Sequence, residues 1–342
     1  MARRLLWASL ALTPLTLLLD LVAHPGKVAL FALAASSLVP LAWLIGESTE
    51  HAARHTGARI GGLLNASFGN APELIIALLA VDDSLPNVVR GSMAGSVVSN
   101  ILLVLGAALV FGHDARLDRR SLLVQLGLVV IAVLLLLLPS IPGWHGNPER
   151  HSLALLSIGP AVVLLVLYLV VTTVGVRRGT RPEEAAAGWS LRVALGVLAL
   201  ATVATAVVSE LLVHSLKAFA HAANLSQFFI AIVIVAIVGN AAEHGGAILI
   251  ARRGKMQLAT EIAISSSAQV GLFVVPVILL VSFAFAHPLT LAFRPIELAA
   301  MGGAAGFVGF VIRDGRSRRW EGVLLITVYA AMAVAFFAAG DR

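Results

Sequence analysis

Residues 61–81 read GGLLNASFGNAPELIIALLAV. The run is apolar or small over about twenty residues, long enough to cross the hydrocarbon core of a bilayer as a helix. Gly69, Asn70, Pro72 and Glu73 interrupt it in the middle. Glycine and proline weaken a helix, and an ionisable carboxylate at that depth is expensive. The interruption returns in residues 228–251, FFIAIVIVAIVGNAAEHGGAILIA. There Gly239, Asn240, Ala241 and Glu243 follow Gly69, Asn70, Ala71 and Glu73 at a constant offset of 170. A lone buried glutamate can serve only to bond a neighbouring helix. Two in matched settings read as a site.

The rest of the chain sets the solvent. Of 342 residues, 59% are hydrophobic and 12% charged, against about a quarter charged in soluble domains. Apolar runs recur from end to end, so the expected fold is an all-α polytopic membrane protein with little left for a soluble domain. No cysteine is present, which excludes a disulfide framework and thiolate chemistry. The net charge is +6, but the basic residues sit in short loops between apolar runs, where topology accounts for them and nucleic-acid binding does not. The N-terminal stretch MARRLLWASLALTPLTLLLDLVAH resembles a signal peptide. It lacks a small-x-small cleavage site and runs at once into another span, so it reads as a retained first helix.

Eleven spans are expected, at roughly 5–23, 28–46, 60–81, 91–112, 121–142, 152–175, 190–213, 226–250, 258–285, 293–312 and 320–339. Of the 24 Lys and Arg, only Lys27, Arg90, Arg150, Lys217, Arg294 and Arg342 fall on the face opposite the N-terminus. The positive-inside rule then puts the N-terminus in the cytoplasm and the C-terminus outside. The polar stretch VRRGTRPEEAAAGW, 176–189, reads as a cytoplasmic linker. It divides the chain into an N-terminal helix (1–26), a first set of five spans (27–175) and a second set (190–342). An odd number of spans per set inserts the copies in opposite senses, giving an inverted repeat.

The offset of 170 also lays GSVVSN (95–100) over SSSAQV (265–270), Ser96 on Ser266 and Ser99 on Gln269. Asn70 and Glu73 are three apart, as are Asn240 and Glu243, so each pair shares a face where the segment is helical. Ser96, Ser99 and Asn100 share a face of the fourth span, and Ser266 and Gln269 one of the ninth. Small polar residues of this kind also serve plain helix packing. Together the candidate donors are two carboxylates, amide and hydroxyl oxygens, and the backbone carbonyls of broken helices, which are tolerated at that depth only around a cavity. Such an all-oxygen set suits a hard cation, calcium above all, with Glu73 and Glu243 as the metal ligands. Zinc or copper would favour His or Cys. His244 follows Glu243 directly and, at i+1, is expected to point about 100° away. His51 and His55 have i, i+4 spacing but no third ligand and are expected on a solvated face. Glu50 and Glu210, nearer the membrane faces, are candidates for gating or proton relay.

GNAPEL and GNAAEH, the first followed by a GSxxSN helix and the second by an SSxQ helix, resemble the cation/proton exchanger branch of the calcium/cation antiporter superfamily. The sodium-coupled branch usually carries threonine–serine where this chain has Asn70–Ala71 and Asn240–Ala241. The resemblance covers nearly the whole chain. It implies a Ca²⁺/H⁺ antiporter with Glu73 and Glu243 as shared ligands. Two departures stand out: Ser265 occupies a position where the family usually has glycine, and the linker offers only Glu183 and Glu184 where the family often has an acidic helix.

The physics of the site agrees with that implication. Two carboxylates close together in a low-dielectric site cannot both stay ionised and unpaired. One Ca²⁺ neutralises both, and so do protons. If the empty, doubly charged site cannot cross between inward and outward states, transport one way requires return with the other ligand. Different coupling, sodium against calcium or sodium, potassium or manganese against protons, remains the alternative. A channel with a carboxylate ring fits the repeat less well. An enzyme fits least: there is no HExxH motif, and Ser157 in LALLSIG has no glycine two residues before it. The expected partners are Ca²⁺, H⁺ and the lipid bilayer of a prokaryotic inner membrane, with no cofactor, and homo-oligomerisation is left open.

Overall fold

A computed structural model describes residues 2–178 and 188–341. Glu183, Glu184 and most of the expected linker lie outside the described residues. The chain is helical nearly throughout. The first half holds α1 (Ala2–Ser9), α2 (Leu12–Val22), α3 (Lys27–Gly69), α4 (Ala71–Asp82), α5 (Pro86–Val98), a π-helical turn (Ser99–Val104), α6 (Leu105–Phe111), β1 (Ala115–Arg116), α7 (Arg119–Gly143) and α8 (His151–Arg178). The second holds α9 (Leu191–Ala223), α10 (Gln227–Phe229), a π-helical turn (Ile230–Val235), α11 (Ala236–Gly239), α12 (Ala241–Arg252) and α13 (Met256–Gln269). A third π-helical turn (Val270–Val274), α14 (Val275–Ser282), α15 (Pro295–Val311), β2 (Arg316–Ser317) and α16 (Arg319–Ala339) complete it. Short polar residues start several helices: Asp118 caps α7 and Ser190 caps α9 through their side chains.

Among the described residues, nine helices are long and apolar enough to cross a membrane. The pair Gln227–Gly239 and Ala241–Arg252, bent by 57°, makes a tenth. The chain is a multi-pass membrane protein. The one expected span not among the ten is the third, 60–81, where the chain runs from the end of α3 through the break at Asn70 into α4. The expected loop between the second and third spans is also absent. Helical hydrogen bonding continues through it, but α3 is not straight. A Cβ on Gly61 would lie 2.9 Å from the Ala53 carbonyl oxygen, whereas eight residues of straight helix rise about 12 Å. The chain therefore turns back on itself between Ala53 and Gly61.

The connections sort into two groups. β1 pairs antiparallel with β2, Ala115 opposite Ser317, and the Asp118 N–H donates to Gln257 at 2.7 Å. The connection before α7 thereby meets those before α13 and α16. In the other group, Thr290 Oγ1 donates to the Pro148 carbonyl at 2.9 Å. His214 lies 3.4 Å from Asp83, and the Arg294 guanidinium donates to the Gly340 carbonyl at 2.7 Å. Such a two-sided arrangement is what alternating spans produce. Within the bundle, glycine sets the closest crossing of α6 and α16. A Cβ on Gly322 would strike the Gly106 carbonyl oxygen at 2.5 Å, a small-residue contact typical of helices packed in lipid.

One expectation is corrected here. His51 is buried, not solvated: its ring stacks on Trp189 at 4.7 Å and pairs with Glu47 at 3.5 Å. His55 lies 2.8 Å from the Trp189 carbonyl. The two histidines clamp the residue that leads into α9, and the i, i+4 spacing serves packing.

Arg90 is the largest fully buried side chain. It donates to Glu149 at 2.6 Å, to Asn87 at 2.9 Å, and to the carbonyl and hydroxyl of Thr290 at 3.1 and 3.0 Å. Removing the carboxylate strands a buried cation, whereas an apolar replacement of the arginine leaves Glu149, 34% exposed, able to reach water. Glu149→Ala is therefore expected to destabilise by about 3 kcal/mol and by more than Arg90→Met. Thermal unfolding of the two variants in detergent checks the order.

Candidate functional site

The two interruptions in the sequence are two breaks in the backbone. Asn70 (φ −100°, ψ 15°) separates α3 from α4, and Asn240 (φ −93°, ψ 9°) separates α11 from α12. Both lie in the sparsely populated bridge region, where a helix cannot continue. Pro72 helps start α4, since its missing N–H falls where no intrahelical acceptor exists. The second half makes the same break without proline, after Gly239. Each break puts a glutamate in the first turn of a new helix, Glu73 on α4 and Glu243 on α12. A helix N-terminus favours negative charge, so each broken helix supports its carboxylate electrostatically.

The halves meet at these breaks. A Cβ on Gly239 would sit 3.4 Å from Glu73 Cγ and 3.9 Å from its Oε1, so Glu73 rests on the signature glycine of the other half. Gly239 stands four residues before Glu243, so this contact joins the two signature segments, each with its glutamate in the first turn of the helix that follows the break. Glu73 Oε2 is buried and has no hydrogen-bond partner. Glu243 accepts a short hydrogen bond from the Ser266 hydroxyl.

Asn100 is the hub of the surrounding polar groups. Its amide donates to Asn240 Oδ1 at 3.3 Å and to Ser266 Oγ at 3.1 Å. Asn240 donates in turn to Ser96 Oγ at 2.8 Å and to the Ala236 carbonyl at 2.9 Å. Asn70 donates to Gln269 Oε1 at 3.1 Å. Residues of each half thus bond residues of the other. Beside Glu73 lies a narrow cavity bounded by Ser92, Met93, Ser96 and Gly239, with room for about 10 Å³. That is roughly the space of one water molecule or one bare ion. Of its lining only Glu73, Ser92 and Ser96 offer side-chain oxygens; the rest is apolar, and Glu243 does not line it.

The structure thus gathers Glu73, Glu243, Asn70, Asn240, Ser96, Asn100, Ser266 and Gln269 around one region. Ser99, although buried, bonds back to the Ser96 carbonyl of its own helix at 3.3 Å. Glu50 pairs with Arg54 at 2.5 Å on an exposed surface, and Glu210 is exposed; neither lines the cavity. His244, expected to point away, turns out to be buried with Nε2 3.0 Å from Asn100 Oδ1. The rotation of about 100° from Glu243 carries it to the far side of the same hub. Ser92 and Met93 were legible only as ordinary packing residues. Among the described residues no group of three or more His, Cys, Asp or Glu could hold a metal ion.

The hub makes a sharp comparison. Asn100→Ala leaves Asn240, Ser266 and His244 each short of a partner, whereas Ser99→Ala removes one bond within a helix. Asn100→Ala is expected to cost about 2 kcal/mol more than Ser99→Ala. Equal melting temperatures for the two variants would deny the hub its role.

With this geometry in view, the comparisons with known proteins are specific. The family model described as sodium/calcium exchanger protein matches residues 26–176 and again 193–338. The Ca(2+)/H(+) antiporter ChaA of Bacillus subtilis (strain 168) is 38% identical, over 95% of this chain and 96% of that protein. A Ca(2+)/H(+) antiporter of Synechocystis is 36% identical over 91% of each. Among solved structures, native YfkE superposes with a TM-score of 0.86 at 34% identity, over 97% of this chain and 99% of the other. The H+/Ca2+ exchanger CAX superposes at 0.74 with 17% identity, over 98% and 91%, a likeness of fold.

Proposed function

Because the chain belongs to the sodium/calcium exchanger protein family, we propose that it is a secondary active antiporter moving Ca²⁺ against H⁺ through one site shared by Glu73 and Glu243. The observation that carries this reading is the position of the two carboxylates. Each opens a helix at a break, and Glu73 lies against Gly239 of the opposite half, four residues before Glu243.

The mechanism follows from charge. In a desolvated site two unpaired carboxylates are unfavourable. One Ca²⁺ or two protons remove the excess, so either ligand makes the site neutral enough to exchange faces, and the bare site stays behind. Ca²⁺ and H⁺ therefore alternate on the same oxygens. Asn70, Asn240, Ser96, Asn100, Ser266 and Gln269 supply neutral oxygens or hold those that do. Asn–Ala at both breaks, in place of threonine–serine, favours protons over sodium as the coupling ion. The proposal also takes over the division into a leading helix (1–26) and inverted repeats (27–175 and 190–342). It sets the protein in a prokaryotic inner membrane with the N-terminus in the cytoplasm.

The direct test is ⁴⁵Ca²⁺ uptake into proteoliposomes under an imposed pH gradient, with and without sodium. Uptake driven by the pH gradient alone is expected. Glu73→Gln and Glu243→Gln should each abolish it while leaving the protein inserted and monodisperse. Robust exchange by either variant sinks the shared site.

Competition also fixes a pH dependence. Protons occupy the oxygens that Ca²⁺ needs, so equilibrium Ca²⁺ affinity should fall as pH falls. With two protons displaced per ion, log K should drop with a limiting slope of about two per pH unit, and of about one in either Glu→Gln variant. Calorimetric Ca²⁺ binding to solubilised protein across pH measures the slope. A flat wild-type profile would move the proton site elsewhere.

A further inference from the structure

The offset of 170 survives in three dimensions. Helices α4 and α12 begin at Ala71 and Ala241, α5 and α13 at Pro86 and Met256, and the breaks at Asn70 and Asn240 have nearly the same backbone angles. Equivalent residues can therefore be compared across the halves.

In the first half, two glycines form a seam. A Cβ on Gly95 would lie 2.0 Å from the Ile232 carbonyl oxygen and 2.8 Å from Ala236 Cβ. One on Gly91 would lie 3.3 Å from Ala231 Cβ and 3.4 Å from Phe228. Helix α5 thus sits directly on the π-helical turn Ile230–Val235 and on α11. The atom that Gly95 faces is backbone, so no side-chain rotation could relieve a larger residue there. At the equivalent positions of the second half stand Glu261 and Ser265. Both are half-buried. Glu261 accepts hydrogen bonds from Ser121 at 3.3 Å and Gln257 at 2.6 Å, and Ser265 bonds back to the Ile262 carbonyl at 3.3 Å. Among the described residues, helix α13 packs on α12 and α7. The segment equivalent to the π-helical turn is 60–65, in the second arm of α3.

In an inverted-repeat carrier, the contact that shuts one face in one state is made by the equivalent residues on the other face in the other state. We propose that Gly91 and Gly95, against Glu261 and Ser265, make the two closures unequal. The face where α5 begins shuts on glycine. The face where α13 begins meets a glutamate and a serine and shuts less tightly, so the protein rests closed at the Pro86 end and open at the Met256 end. The four residues are positioning residues: they bias the two access states without touching the ion. This rests on the reading of the chain as an alternating-access antiporter.

The absence of cysteine makes the test clean. Ser92 and Ile262 are equivalent positions flanked by the two seams, Ser92 buried and Ile262 half-buried. Each is replaced singly, Ser92→Cys or Ile262→Cys, and the rate of modification by a membrane-impermeant charged maleimide is measured with the reagent on both sides of proteoliposomes. The Ile262→Cys reporter should react faster than the Ser92→Cys reporter. Adding Gly95→Ala should speed the Ser92→Cys reporter. Adding Glu261→Gly with Ser265→Gly should slow the Ile262→Cys reporter by about tenfold, the population change that 1.4 kcal/mol between the two states produces. Should Gly95→Ala fail to fold, the double glycine variant decides alone. An unchanged or faster Ile262→Cys reporter in that variant overturns the proposal, as does a Ser92→Cys reporter reacting as fast as the Ile262→Cys one. Calcium exchange by the same vesicles is scored separately. Its absence in the Ile262→Cys vesicles, whose reporter lies outside the cavity, alongside the expected labelling would fault the transport reading and leave the seam intact.

Discussion

A helix broken in the middle of a membrane has to find partners for the backbone groups it frees. Most of what is distinctive in this protein follows from meeting that demand twice. At Asn70 and Asn240 the chain abandons helical geometry for a single residue and resumes it at once. The new helix offers unpaired N–H groups and the old one unpaired carbonyls, at a depth where water is scarce. The surrounding side chains answer with amides and hydroxyls: Asn240 reaches back to the Ala236 carbonyl and across to Ser96, and Asn70 reaches to Gln269. A carboxylate at the start of each new helix uses the exposed N-terminal end, which favours negative charge. Breakage of the helices and chemistry of the site are one arrangement.

The two halves are equal at the signature residues and unequal where they pack against each other. Signature asparagines and glutamates match at the fixed offset, yet the outer partners differ. Glu243 has a serine hydroxyl on its carboxylate, while an oxygen of Glu73 has no bonded partner. His244 enters the polar cluster at a position where the first half has Leu74.

How much of this is legible in the sequence depends on the kind of signal. Glu73 and Glu243 declare themselves because a carboxylate in an apolar run is costly, and repetition at a fixed distance turns an oddity into a pattern. The breaks are legible for the same reason, through Gly69, Pro72 and Gly239. Contacts set by three-dimensional rotation are not. On a helical wheel His244 points about 100° away from Glu243, and Asn100 waits at that other bearing. His51 and His55 look like a metal pair or a solvated face, and only the approach of Trp189 from beyond the connecting segment shows what they hold. Ser99 and Asn100, side by side in the sequence, differ wholly in partners because one turns into its own helix and the other across to the second half. The fold of α3 back on itself was foreseen as a loop between spans. A loop and a bent helix demand the same polar composition, so residues 47–59 could not tell them apart.

Arg90 carries a consequence for how the protein is made. Its guanidinium is held by Glu149, 59 residues later, and by Thr290, 200 residues later. During synthesis at about 5–20 residues per second, the second of these partners emerges roughly 10–40 s after the arginine itself. Through that interval the arginine at the head of the fourth span lacks its Thr290 partners, and until Glu149 follows, 59 residues on, it lacks its counter-ion as well. Final seating of the first half is thereby tied to completion of the second, so a truncated chain would present an unsatisfied arginine at the membrane, a mark by which quality control could recognise it.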